Sequence, residues 1–203
     1  GTFANLAAVP LIAANGARGI VFGPDGKLYI AVQTNSTVLR FTAAGAFDGY
    51  FVPAGTGGLS GPNGLAFGSD GNLYVASSNT DEVKRYQGPA GGSPGAFISN
   101  FVSAGSGGLN LPTGILFDGT GRLLVGSYLT NQVLRYTSAG AFDTVMVSAG
   151  LGGLGNPEGL AFGPSGTLFV ASRGSDQVLA YDQTTPNLFH GVYAATSAVF
   201  DQP

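Results

Sequence analysis

Cysteine is absent from the 203-residue sequence, which excludes disulfides and thiolate metal sites but leaves the cellular compartment open. Histidine occurs once, at His190. Without cysteine or a second histidine, the usual nucleophile–base pairs cannot be assembled, and only carboxylate chemistry remains formally open. Charged residues make up 9% of the chain and the formal net charge is −3. That balance favours neither nucleic acid nor an anionic membrane as a partner, and the few basic residues are dispersed through the chain. No apolar run approaches the ~20 residues of a transmembrane helix, and no stretch sustains a helical period. What is abundant is glycine, 35 residues, beside an apolar fraction of 44%. This is the composition of tight turns and buried strands, not of a disordered polymer.

A glycine that opens a short apolar run recurs at Gly19, Gly64, Gly114 and Gly159. The spacing of about 45 to 50 residues is that of stacked supersecondary units. The longer middle interval reflects an insertion over residues 88–94. Each copy reads as four strands. The first is Gly-Ile-Val-Phe or a close variant, expected to be buried on both faces. A turn rich in Gly, Pro and Asp follows, as in Gly-Pro-Asp-Gly at 23–26, the chemistry of a hairpin tip. The second strand runs through Leu28-Tyr29-Ile30-Ala31 and its counterparts. The third alternates apolar with longer, mostly basic residues, as in Val38-Leu39-Arg40-Phe41, predicting one buried and one wet face. The fourth begins at Gly-Ala-Phe. Four-stranded units at this period predict an all-β fold, a β-propeller of about four blades.

The blade sequence Gly-Leu-Ala-Phe-Gly-Ser-Asp-Gly-Asn-Leu-Tyr-Val-Ala-Ser followed by Asp-Glu-Val-Lys-Arg-Tyr resembles the blades of NHL-repeat propellers. More broadly, it is similar to the gluconolactonase and streptogramin-lyase-like superfamily. The resemblance covers nearly the whole chain and speaks to fold more than to activity. Its members usually have six blades, so four departs from the pattern.

A single propeller domain over 1–203 is expected, with blades at 16–60, 61–110, 111–155 and 156–203 and an extra fourth-type rim strand in 1–15. A diverged rim strand is read over 187–200, which makes one rim strand surplus. It lies as an extra edge, pairs with a neighbouring molecule, or marks the chain as part of a larger ring. The start at Gly1 and the lysine-poor composition point to an exported, extracellular protein.

Two sets of loops are expected on one face of the propeller. The loop leading into each first strand ends in Arg18, Asn63, Thr113 and Glu158. In gluconolactonase-like enzymes, the resemblance implies, Glu, Asn and Asp at this position hold a divalent cation such as calcium, and Asn63 and Glu158 match two of those motifs. Arg18 and Thr113 do not. A hard cation needs about six oxygen ligands, and in a closed four-blade ring Arg18 would neighbour Glu158 as an ion pair. The loop between second and third strands contributes Asn35, Asn79, Asp81, Tyr128, Asn131, Arg173 and Asp176. Turn chemistry accounts for the Asn and Asp residues, whereas Tyr128 and Arg173 suggest a contact surface. The Gly-x-Gly-x-x-Gly at 150–155 precedes a strand, not a helix, and is a blade connector without phosphate-binding character. His190 falls in the last rim strand, away from where the resembled lyases place histidine.

The expected function is that of a non-enzymatic, cofactor-free binding or self-assembly module, whose partner is itself or another protein engaged through edge strands. The alternative is a metal-dependent hydrolase or lyase with Asn63 and Glu158 as ligands. A third reading is a glycan or peptide binder using Tyr128 and Arg173.

Overall fold

Sixteen strands form four antiparallel sheets of four, each in simple meander order, in a computed structural model that describes residues 16–195. The expected rim strand in 1–15 lies outside the described residues, as do residues 196–203. The chain divides into two units, one up to Ala104 and one from Gly105. Unit 1 holds the blade of β1 (Ala17–Phe22), β2 (Leu28–Val32), β3 (Thr37–Phe41) and β4 (Phe47–Val52), and the blade of β5 (Pro62–Phe67), β6 (Leu73–Ser77), β7 (Glu82–Tyr86) and β8 (Phe97–Val102). Unit 2 holds β9 (Pro112–Phe117), β10 (Leu123–Ser127), β11 (Gln132–Tyr136) and β12 (Phe142–Val147), then β13 (Pro157–Phe162), β14 (Leu168–Ser172), β15 (Gln177–Tyr181) and β16 (Phe189–Ala195). This is the predicted β-propeller of four blades.

Glycine-bearing turns close the first hairpin of every blade. In the first, the Gly26 amide donates to the Gly23 carbonyl at 2.9 Å, and Gly26 takes φ of 72°, a conformation that only glycine adopts without cost. Within each unit the first strands pack on one another, β1 on β5 and β9 on β13, so they are the inner strands and the fourth strands the outer edges.

The apolar faces between paired blades make the core. In unit 1, Tyr29, Ala31 and Phe51 of the first blade meet Leu65, Leu73 and Val75 of the second. Tyr29 stands edge-on to Phe51 at 4.8 Å and to Phe67 at 5.0 Å. In unit 2, Leu124, Val133 and Met146 meet Leu168, Val170 and Tyr181. Each fully buried side chain of this size contributes about 1.5–3 kcal/mol. The close approach of blades also requires glycine: a Cβ on Gly19 would collide with the Asn63 carbonyl, and one on Gly114 with the Glu158 carbonyl.

Two expectations about faces are corrected. The third strands have no wet face: Lys84 is 3% exposed and Arg135 7%, and no residue of a third strand is exposed. Their charges are met by neighbours. Arg135 Nε lies 2.6 Å from Asp143 Oδ2 and Arg40 Nε 2.6 Å from Asp48 Oδ2, both acids on the fourth strand, while Lys84 Nζ lies 2.6 Å from Glu82 Oε2. Nor are all first strands buried on both sides. β5 and β9 are largely buried, but Ile20 and Phe22 of β1 are each 67% exposed, and Glu158, Gly159 and Ala161 of β13 are exposed. Val21 and Leu160 face the partner blade; the alternate residues face away.

Candidate functional site

The four variable positions sit where first and second strands lose register. Pairing passes from Ala17 to Ile20 in β1, from Pro62 to Leu65 in β5 and from Pro157 to Leu160 in β13, with a matching irregularity opposite β9. Arg18, Asn63, Thr113 and Glu158 therefore occupy bulges, which re-aim side chains out of the pleat. Their surroundings then diverge. Thr113 is 2% exposed, and its hydroxyl donates to the carbonyls of Pro157 at 2.7 Å and Gly126 at 3.2 Å. It ties two blades together and is no ligand for solvent-borne molecules. Arg18 is exposed, its Nε donating to Gln33 Oε1 at 3.0 Å. Asn63 is half-buried.

Glu158 is exposed and 3.7 Å from Arg173, whose guanidinium also donates a 2.8 Å hydrogen bond to the Tyr128 hydroxyl. The two residues singled out as a contact surface thus meet each other, 45 positions apart, and share Glu158. A guanidinium beside the one carboxylate of this unit's bulges is the setting of an ion pair. It does not fit a hard cation, which wants several oxygens and no neighbouring positive charge. Among the described residues, no group of three His, Asp or Glu side chains converges.

The remaining polar residues hold the loops. Asp81, Asn131 and Asp176 adopt φ of 53–55° at the same place in successive blades, with Ser36 at 52° in the first. Loops of adjacent blades are stitched together: the Gly61 amide donates to Ser36 Oγ at 3.2 Å, the Asn156 amide to Asn131 Oδ1 at 2.7 Å, and Asn156 Nδ2 to the Tyr128 carbonyl at 3.2 Å. Asn79 Nδ2 reaches Ser60 Oγ at 3.2 Å.

One polar device escaped sequence reasoning. The buried serine ending each second strand, Ser77, Ser127 or Ser172, accepts from a backbone amide and donates to a carbonyl of the loop that leads into its blade, at residues 60, 110 and 155. It also accepts a hydroxyl from three residues on: Thr80 at 2.8 Å, Thr130 at 2.6 Å and Ser175 at 2.7 Å. The spacing Ser-x-x-Thr/Ser was its signal. The first blade has Val32 and Asn35 instead.

Elsewhere, carboxylates are occupied as acceptors. Burial alone would raise Asp118, but hydrogen bonds from Thr120 and Arg122 hold it below the ordinary range. Asp182 is lowered to about 2 by hydrogen bonds from Thr184 and Thr185. His190 lies on the outer strand β16 with Nε2 3.8 Å from Asp182. A shallow hollow between β4 and residues 93–96 is lined by Tyr50, Phe51, Pro53 and Pro94, among others, and by no charged side chain.

No protein-family model and no curated protein matches the sequence. Solved structures do match. A streptogramin B lyase aligns with a TM-score of 0.66 at 16% identity, covering 90% of this chain and 55% of its own. Virginiamycin B lyase from Staphylococcus aureus gives 0.62 at 16% identity over 83% of this chain and 53% of its own. A proposed gluconolactonase gives 0.69 at 18% identity over 92% and 66%. The chain therefore spans about half to two thirds of the length of these structures. Identities this low carry the fold and nothing finer: the chain is a β-propeller of the kind seen in the gluconolactonase and streptogramin B lyase structures.

Proposed function

We propose that this chain is a non-catalytic propeller that works by binding, to copies of itself or to another protein. The observation that carries the reading is where most of its exposed large apolar side chains lie. Among the described residues, six of the ten, Tyr50, Phe97, Ile98, Phe142, Val192 and Tyr193, belong to fourth strands, the others being Ile20, Phe22, Leu129 and Leu188. Those strands end their sheets, so apolar side chains stand beside main-chain groups that the blade itself does not pair. An added strand would gain ladder hydrogen bonds and apolar burial together. The low charge of the chain gives little electrostatic opposition.

The activities of the resembled lyases and gluconolactonase concern those proteins. Here the four bulges carry Arg18, Asn63, a buried structural threonine and a glutamate paired with Arg173, a set that supports contact over catalysis. Light scattering tests the reading. The wild-type chain is expected to exceed the 20.3 kDa of one copy, and lysine at Ile98 or Val192 to lower the apparent mass. A wild-type chain that stays at one copy, with no gain on concentration, overturns self-assembly.

A further inference from the structure

We propose that the outer strand β8 is the edge on which a partner strand docks, and that the partner is an extended segment of another protein whose acidic side chain is received by Arg85. The proposal rests on the binding reading above and names its edge and the chemistry of what it takes. Every residue it uses belongs to unit 1 or to the repeat that unit 1 shares.

The fourth strands of the first three blades are bulged at one equivalent place. Pairing passes from Arg40 with Gly49 to Phe41 with Phe47, from Arg85 with Ser99 to Tyr86 with Phe97, and from Arg135 with Thr144 to Tyr136 with Phe142. The extra residues are therefore Asp48, Ile98 and Asp143. A bulge re-aims its extra residue, and in two of these blades it brings a carboxylate to the arginine of the third strand. Asp48 lies 2.6 Å from Arg40, and Asp143 2.6 Å from Arg135. The second blade keeps the arginine and lacks the acid. The first blade isolates that difference, because the rest of its cluster is the same. The Tyr29 hydroxyl donates to Asp25 and faces Arg40, and the Tyr74 hydroxyl donates to Asp70 and faces Arg85, each tyrosine bond being 3.0 Å. Among the described residues no carboxylate pairs with Arg85, and its Nε is buried without a hydrogen-bond acceptor. A guanidinium with donors to spare binds a carboxylate through charge-assisted hydrogen bonds.

Ile98 has a second consequence. The other fourth strands carry Asp48, Asp143 or His190, whereas Phe97-Ile98-Ser99-Asn100-Phe101-Val102 carries no ionisable residue. Charge on an edge strand opposes pairing with another chain. Here that guard is missing, and Phe97 and Ile98 are 38% and 41% exposed. One position thus opens the edge and leaves an arginine without its acid. A strand added to β8 runs two strand spacings, about 10 Å, from β7, a gap that an arginine and a glutamate side chain together cross. The acids of this chain's own outer strands are already paired, Asp48 with Lys27 and Arg40 and Asp143 with Arg135, and β8 and β16 have none. Copies of the chain share the edge through apolar contact alone; a foreign strand that also answers Arg85 displaces them.

The test uses the full chain and a fluorescent peptide, Val-Thr-Val-Glu-Val-Thr, beside the same peptide with Gln for Glu. By fluorescence anisotropy the Glu peptide is expected to bind about tenfold or more tighter, as a hydrogen bond to a charged group implies, and Arg85→Gln to erase the preference. Ile98→Asp restores the acid that the blades on either side carry. It is expected to fold, to raise the denaturant midpoint and to erase the preference as well. Equal binding of the two peptides by the wild type, a preference that survives either substitution, or an Ile98→Asp midpoint below the wild type overturns the acidic partner. If the wild type still exceeds one copy by light scattering, association through outer strands stands. A wild type that binds neither peptide and stays at one copy overturns both.

Discussion

Ser127 shows how single residues here serve the loops. Its hydroxyl is fully buried and joins Asn110, on the loop that leads into the blade, to Thr130, on the turn that leaves the second strand. Replacing it with alanine removes the buried hydroxyl that the Asn110 amide and carbonyl and the Thr130 hydroxyl share. The expected cost is about 0.5–1.5 kcal/mol, read as a lower denaturant midpoint with an unchanged slope; no loss of stability would contradict the assignment. The Ser-x-x-Thr spacing was visible in the sequence, but its partner lies 17 residues back, and nothing in the local pattern names it. The burial of Lys84 and Arg135 was hidden for a related reason. A basic residue alternating with valine reads as a wet face, and the acids that meet Lys84 and Arg135, Glu82 and Asp143, are not named as partners by the local pattern. Tyr128 and Arg173 stood out because turn chemistry does not explain them, and the structure joins them.

Among elements, the connectors between blades are held by a tyrosine from the end of the third strand. Tyr86, Tyr136 and Tyr181 donate to the carbonyls of Thr56, Ser106 and Leu151, at 3.0, 2.8 and 2.8 Å. Each carbonyl belongs to a 3-10 turn. Burial pushes all three phenols above their ordinary value, with Glu82 adding to the effect at Tyr86. A group whose folded pKa is raised holds its proton in the native state where the unfolded chain has released it. The stability it contributes is therefore complete below pH ~10 and lost as pH rises beyond that. Alkaline unfolding is expected to coincide with tyrosinate absorbance, and Tyr136→Phe to cost about 0.5–1.5 kcal/mol at neutral pH while making stability less sensitive to pH above 10. Equal pH sensitivity in wild type and variant would contradict this. The strands, hairpin turns and repeat were legible because each rests on local residue types, while the tyrosine bond joins residues 30 positions apart.

For the whole molecule, four near-identical blades do not have four identical environments. Phe22 and Phe67 occupy the same place in the repeat, yet only Phe22 is exposed to this extent. The repeat specified which residues alternate along each strand and carried no mark of which of them stay exposed. That is why the first strand was expected to be buried throughout. The likeness to longer propellers at 16–18% identity carries the fold; the exposed apolar side chains of the outer strands are why association is the expected behaviour. Sedimentation velocity of the wild-type chain over a hundredfold range of concentration, beside Ile98→Lys, tests this most directly. The account predicts a wild-type species of at least two 20.3 kDa copies that the substitution shifts toward one. A wild-type chain sedimenting as one copy across the whole range would contradict it.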